Sequence, residues 1–263
     1  MSKSIISMET FSEFEDQASV PQKNFSDILS HAFNNYLKII GWLMLGTVIY
    51  LVASAVITSL ADAVAGYDND VTAQRMRDFS VSGGNYSEFV DSLIGAPGFM
   101  ISLGLNSLIG VFIAPFFVGF VYMMHKATRG ISVEFADLFI GFKQNFIQYV
   151  LFMIVFYIAL TFGALFCLIG MFFVLPFFFT GIPIILFENN TAGEALRKSF
   201  ETGSKNYGTL LGVGFIASIL SLAGLLLCGV GIIATAPFFY AALYSAYIAF
   251  KGVPRVQHLQ GNM

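Results

Sequence analysis

Hydrophobic positions in this chain come in long runs, set apart by short polar connectors. From Asn145 to Phe187 no charged residue occurs for 43 positions. A single helix of that length would reach about 60 Å, roughly twice the hydrocarbon thickness of a bilayer, so the run must cross, turn near Gly170 and return. The same reading predicts six apolar spans, at 39–61, 98–124, 147–168, 171–187, 208–228 and 230–250. Ahead of the first, Phe25, Ile28, Leu29, Ala32, Phe33, Tyr36 and Leu37 recur at helical spacing, with Asp27, Ser30, His31, Asn34 and Asn35 on the other side. That pattern predicts an amphipathic helix on the membrane surface. Two connectors repeat it. Ile131, Phe135, Leu138, Phe139, Phe142 and Phe146 share a face behind Ser132 as N-cap, and Thr191 with Glu194 spells a capping box ahead of Ala195, Leu196, Phe200 and Tyr207.

The spans themselves repeat. Cys167-x2-Gly170-x5-Pro176-Phe-Phe recurs without gaps as Cys228-x2-Gly231-x5-Pro237-Phe-Phe, 61 residues later. The same offset pairs Asn145-Phe146 with Asn206-Tyr207, and leads backwards from Pro176 to Pro115, again followed by two phenylalanines. Phe25-Ser-Asp27 and Asn35-Tyr36 match Phe135-Ala-Asp137 and Asn145-Phe146 at an offset of 110, the excess being an insertion between the first two spans. The pattern predicts an all-α polytopic fold: six transmembrane helices as three parallel two-helix repeats, each led by a surface helix. The first repeat covers 25–124 with an insertion at 62–97, the second 131–187 and the third 191–250; polar tails occupy 1–24 and 251–263.

Composition agrees with a membrane protein. The chain is 57% apolar and only 11% charged, with a mean hydropathy of +0.77, where a soluble domain carries about 25% charged residues. The net charge of -3 gives no reason to expect a nucleic-acid partner. Of 13 basic residues, all but Arg75 and Arg77 fall in residues 1–38, the 125–146 and 188–207 connectors and the C-terminal tail. The positive-inside rule therefore puts both termini in the cytoplasm and the acidic 62–97 segment outside. No secretory signal peptide is apparent, since the first apolar run starts behind 38 mostly polar residues.

Candidate chemistry is sparse. No nucleophile elbow, phosphate-binding loop or zinc signature occurs, which predicts a non-enzymatic protein without cofactor or metal. His31, His125 and His258 read as separate interfacial or solvated residues. No Asp, Glu, Lys or Arg lies inside any of the six spans, which argues against ion-coupled transport. Asn106 is the one strongly polar side chain well inside a span; it reads as helix-to-helix glue or as the lining of a cavity. Pro115, Pro176 and Pro237 read as packing kinks or as hinges round a centre, and Gly170 and Gly231 as turn positions. Cys167 and Cys228 read as packing residues or as an outside disulfide.

Gly130-Ile-Ser-Val-Glu-Phe-Ala-Asp137-Leu-Phe139-Ile-Gly141-Phe142, with Glu188-Asn-Asn-Thr-Ala-Gly193-Glu-Ala195-Leu-Arg-Lys-Ser199-Phe after the fourth span, resembles a broad group of bacterial six-span membrane proteins of unknown function. They are similar to the membrane domain associated with glycerophosphodiester phosphodiesterases. The resemblance covers residues 25–250 and implies the layout and a bacterial cytoplasmic membrane. It implies no phosphodiesterase chemistry, because no catalytic domain accompanies it. The expected role is a membrane scaffold or accessory protein that organises lipid or a membrane-protein partner. The alternative is an uncoupled carrier or channel for a small apolar or amphiphilic solute. A polar centre lined by Asn106 and the prolines would favour the carrier, and a Phe-filled centre the scaffold.

Overall fold

A computed structural model describes residues 20–83, 85–165, 170–226 and 229–254. Cys167, Cys228 and His258 lie outside these. All regular structure among the described residues is helical. Six helical segments are long and apolar enough to cross a membrane: Phe25–Ala65, Phe99–Thr128, Phe146–Ala164, Gly170–Glu188, Tyr207–Leu226 and Ile232–Lys251. The chain divides into two compact units, one of residues 1–48 and 114–263, the other of residues 49–113.

Three apolar spans each follow a short polar element through a backbone joint. Residues 25–38 run straight into the first span, but Ile39 leaves helical geometry (φ -126°, ψ 17°). The second joint is Asn145, held at φ 53° while its amide donates to the Ile185 carbonyl and to Asn189. The third is Asn206 (φ -126°, ψ 31°). Asparagine occupies the second and third joints, where its short polar side chain tolerates such backbone geometry.

Two helical hairpins pack glycine on glycine. Gly163 lies against the backbone of Gly170 and Gly224 against that of Gly231, so a Cβ at Gly170 or Gly224 would collide with main chain and one at Gly163 would be tight against it. This is why glycine recurs at the turn positions: it lets two helices meet at backbone distance. The prolines come next. Helical bonding lapses at Ala114–Pro115 and at Ala236–Pro237. In the second hairpin Pro176 stays inside the helix Gly170–Phe178 and the lapse falls at Phe179–Thr180. The displacement has a local cause. Pro183 sits in the first turn of Gly181–Glu188, where a missing N–H costs nothing, so a fresh helix starts there readily.

Each polar element packs on the span that precedes it in the sequence, and the first packs on the last. Residues 135–143 sit on 116–128: Phe116 meets Phe139 edge-on at 5.9 Å, Lys126 pairs with Asp137 at 2.8 Å, and Gly141 rests on the Pro115 carbonyl. Residues 192–205 sit on 170–188: Phe177 stacks on Phe200 at 4.8 Å, Lys198 pairs with Glu188 at 2.6 Å, and Gly203 rests on the Pro176 carbonyl. Residues 25–38 sit on 232–251: Phe238 meets Tyr36 at 5.6 Å and Phe33 at 6.3 Å, and His31 bonds Ser245 at 2.9 Å. Both ion pairs are largely shielded, so their main effect is to fix register, since loss of one partner would leave a shielded charge unmatched.

Several local expectations change. His31 and Asn35 are buried rather than solvent-facing, and they bond each other as well as Ser245. His125 is buried too. The 131–146 connector is a 3-10 turn, Phe135–Phe139, followed by one α turn, Ile140–Lys143. Its cap is Glu134 with Asp137, not Ser132, because the Asp137 carboxylate reaches back to the Glu134 N–H at 2.7 Å. At Thr191 the capping box forms as spelled, and the Thr191 N–H and hydroxyl hold the Glu194 carboxyl below its usual range.

The smaller unit is built differently. Its first helix runs on to Ala65, past the 39–61 span, and carries Asp62 buried inside it. The 62–97 insertion is largely helical: Asn69–Ser82 is capped by Asp68 and ended by Gly83 at φ 59°, and Tyr86–Ile94 is capped by Asn85. Gly98, at φ 75°, lies on the Ala65 carbonyl and starts the return helix Phe99–Ile113. Only glycine combines that φ with that approach.

Candidate functional site

The three Pro-Phe-Phe segments converge, and their two phenylalanines do different work. The first of each pair, Phe116, Phe177 and Phe238, faces the polar element of the seams just described. The second, Phe117, Phe178 and Phe239, lines one cavity of about 90 Å³. Phe152, Phe156 and Tyr157 from the third span, with Leu175, Tyr240 and Leu243, complete most of its wall. The rings pack closely. Phe117 stacks on Tyr240 at 4.9 Å, Phe178 tilts against Phe156 at 5.3 Å, and Phe179 meets Phe239 edge-on at 5.5 Å. No charged or amide side chain is among the thirteen lining residues. The wall is mainly hydrocarbon and aromatic, with Tyr157 and Tyr240 the hydroxyl-bearing members.

Between the cavity and the ends of the return helices lies a solid layer. His125 sits 4.8 Å from Phe187, Phe187 stacks on Tyr247 at 5.7 Å, and the His125 Nδ1 bonds the Tyr244 hydroxyl at 3.0 Å. All four residues are buried. The His125 Nε2 has no hydrogen-bond partner among the described residues, and neither has the buried Tyr149 hydroxyl. The rings of this layer are in mutual contact.

A proline withholds one N–H and opens the turn before it, leaving carbonyls there short of a donor. Tyrosine hydroxyls bond carbonyls in two of these turns. Tyr207 donates to the Phe173 carbonyl at 3.2 Å and Tyr36 to the Ala234 carbonyl, each three residues before a proline. Beside Pro176 and Pro237, then, a carbonyl of the preceding turn is bonded by a tyrosine of another element. None of the three prolines is among the cavity-lining residues.

Asn106 belongs to the smaller unit. Its amide nitrogen donates to the Asp62 carboxylate at 3.0 Å and to Ser102 at 3.1 Å. Ser102 donates to the same Asp62 oxygen, and Asn69 to the other at 2.7 Å. A buried carboxylate thus holds together the first helix, the insertion and the return helix. Asn106 is not among the cavity-lining residues. Among the described residues no group of three His, Cys, Asp or Glu side chains gathers as a metal site would require.

The sequence names Pro115, Pro176, Pro237, Gly170, Gly231 and Asn106, and each occupies a definable structural position. It does not single out Asp62, and it reads His125 as interfacial or solvated and Tyr36 and Tyr207 as apolar-face residues, without the bonds they make. For the tyrosines a signal exists: Asn35-Tyr36 and Asn206-Tyr207 are the same dipeptide at matching places. No family model, curated protein or solved structure matches this chain.

Proposed function

We propose that this chain is a non-enzymatic scaffold or accessory protein of a bacterial cytoplasmic membrane, organising lipid or a membrane-protein partner. The observation that carries the reading is the centre of the larger unit, where three Pro-Phe-Phe segments meet in aromatic contact without a charged group and behind a buried layer of rings. A transported polar solute would need a hydrated path there. Kinship with the bacterial six-span group belongs to the same reading and is carried by the Gly130–Phe142 and Glu188–Phe200 stretches.

Within this reading the chain is three parallel two-helix units, with both termini cytoplasmic. The recurrence of the Phe pairings, the tyrosine-to-carbonyl bonds and the glycine-on-carbonyl contacts supports it. The polar elements lie along the inner membrane surface. Exposed Phe25, Phe33, Phe135, Phe142 and Phe200 enter the interface there, and nearby lysines and arginines meet anionic headgroups. Gentle purification followed by mass spectrometry of whatever is retained tests the role. The expected result is a lipid or a protein. A reproducibly retained small polar solute overturns it.

The uncoupled carrier of a small apolar or amphiphilic solute is the second reading, although Asn106 and the prolines that would mark its path do not line the cavity. Reconstitution into vesicles separates the two: the scaffold predicts no more release of a small amphiphile than from empty vesicles, and saturable release would establish the carrier.

A further inference from the structure

The cavity has a definable occupant. Its wall is mainly hydrocarbon and aromatic, with two tyrosines and no charged or amide side chain, so an apolar group is favoured there over a charged or strongly polar one. Its size is the second constraint. An apolar cavity of about 150 Å³ takes benzene, so about 90 Å³ accommodates roughly three or four carbon atoms. A whole drug-sized or lipid-sized molecule needs several hundred Å³, so only the tip of one can enter.

Depth is the third. Phe178 lies eight residues from Gly170 and ten from Glu188 in the span Gly170–Glu188, which is about 12–15 Å along the helix from either end. Phe152 and Phe156 lie six and ten residues into Phe146–Ala164. The wall is therefore near mid-membrane, the depth at which a bilayer presents the free ends of its acyl chains. The fourth is access. Tyr157, one of the lining residues, is 43% exposed, so the wall reaches the molecular surface at that depth.

We infer that this cavity is an acyl-chain site, which takes the free end of one chain of a bilayer lipid between Phe117, Phe178 and Phe239. The inference rests on the membrane reading above and names the lipid portion that the scaffold holds. It also gives a reason for the second phenylalanine of each pair. Aromatic faces grip a methyl-ended chain through many weak contacts, and they do so without regard to headgroup. The site is accordingly selective for chain length and branching at the tip, and indifferent to headgroup chemistry.

Full-length protein in vesicles of brominated phospholipid tests this. Trp42 is the single tryptophan, so Trp42→Phe gives a silent background. Into it go Phe178→Trp, within the cavity, and Phe173→Trp, which is exposed on the same helix. Bromine near the chain end should lower the fluorescence of the indole at 178 by about twofold, through direct contact, while bromine near the headgroup leaves it nearly unchanged. Leu243→Phe, which fills the cavity, should abolish most of that quenching and leave quenching at 173 as it was. Leu175→Phe is the substitute should Leu243→Phe not fold. Quenching at 173 without quenching at 178, or quenching at 178 that survives filling, overturns the site. Absence of quenching at both positions overturns the membrane reading instead.

Discussion

The two compact units of this chain achieve cohesion by opposite means. In residues 49–113 only Ala61, Asp62, Ala96 and Ser102 are buried among those described, and the polar pair are hydrogen-bonded to each other. The larger unit buries dozens of apolar side chains and repeats one seam: a polar element seated on a Pro-Phe-Phe helix through an aromatic pair and close backbone contact. Lipid tails are as apolar as a protein core, so greasy side chains gain little by leaving lipid for one another. What remains is shape and hydrogen bonding. The larger unit relies on backbone-close fit, the smaller one on a carboxylate that several donors need at once.

That contrast can be broken most severely at the glycines. Gly141→Leu and Gly203→Leu force a side chain into the Pro115 or Pro176 carbonyl, and should destabilise the protein by about 3 kcal/mol or more. Gly104→Ala and Gly110→Ala, with nothing within 4 Å of the added carbon, should be neutral or stabilise by a few tenths to about 1 kcal/mol. Thermal unfolding in detergent reads both. Equal effects in the two units would remove the distinction.

A smaller effect isolates the carboxylate. Asp62→Ala strips the acceptor from Asn69, Ser102 and Asn106, which should cost about 1–3 kcal/mol. The loss should be local, seen as faster hydrogen exchange in Asn69–Ser82 with Phe238–Lys251 unchanged. Spread of that exchange into 238–251 would show that the units unfold together. The gentlest probe is Tyr207→Phe, which removes one hydroxyl from the Phe173 carbonyl at about 0.5–1.5 kcal/mol. Tyr36→Phe should match it, because its hydroxyl serves the Ala234 carbonyl in the same way. Unequal costs would mean that the two prolines are not relieved alike.

Spans, turn glycines and the Thr191–Glu194 cap are legible in the sequence because each is a local signal: a run of apolar residues, a residue type, a four-residue spelling. His31 and Asn35 are not. A periodicity places them on the polar side of a helix, and nothing in it tells water from Ser245, 214 residues away. Asp62 escapes notice for the opposite reason. It ends an apolar run, so it marks a boundary by hydropathy, although its partners lie at Asn69, Ser102 and Asn106. The Pro-Phe-Phe spelling is visible, but which ring faces the seam and which the cavity depends on how three helices meet. Cys167 and Cys228 fall outside the described residues, and their pairing stays an expectation.

The bond between His31 and Ser245 joins nearly the first helical residues to nearly the last. At a ribosomal rate of about 5–20 residues per second, the N-terminal element waits roughly 10–40 s before its partner exists. For that time Phe33 and Tyr36 have no Phe238 to meet. A neighbouring copy, finished earlier, carries the same Phe238 in the same membrane. Crowded synthesis therefore exposes this chain to exchange of its N-terminal helix between copies, and slow translation lengthens the exposure.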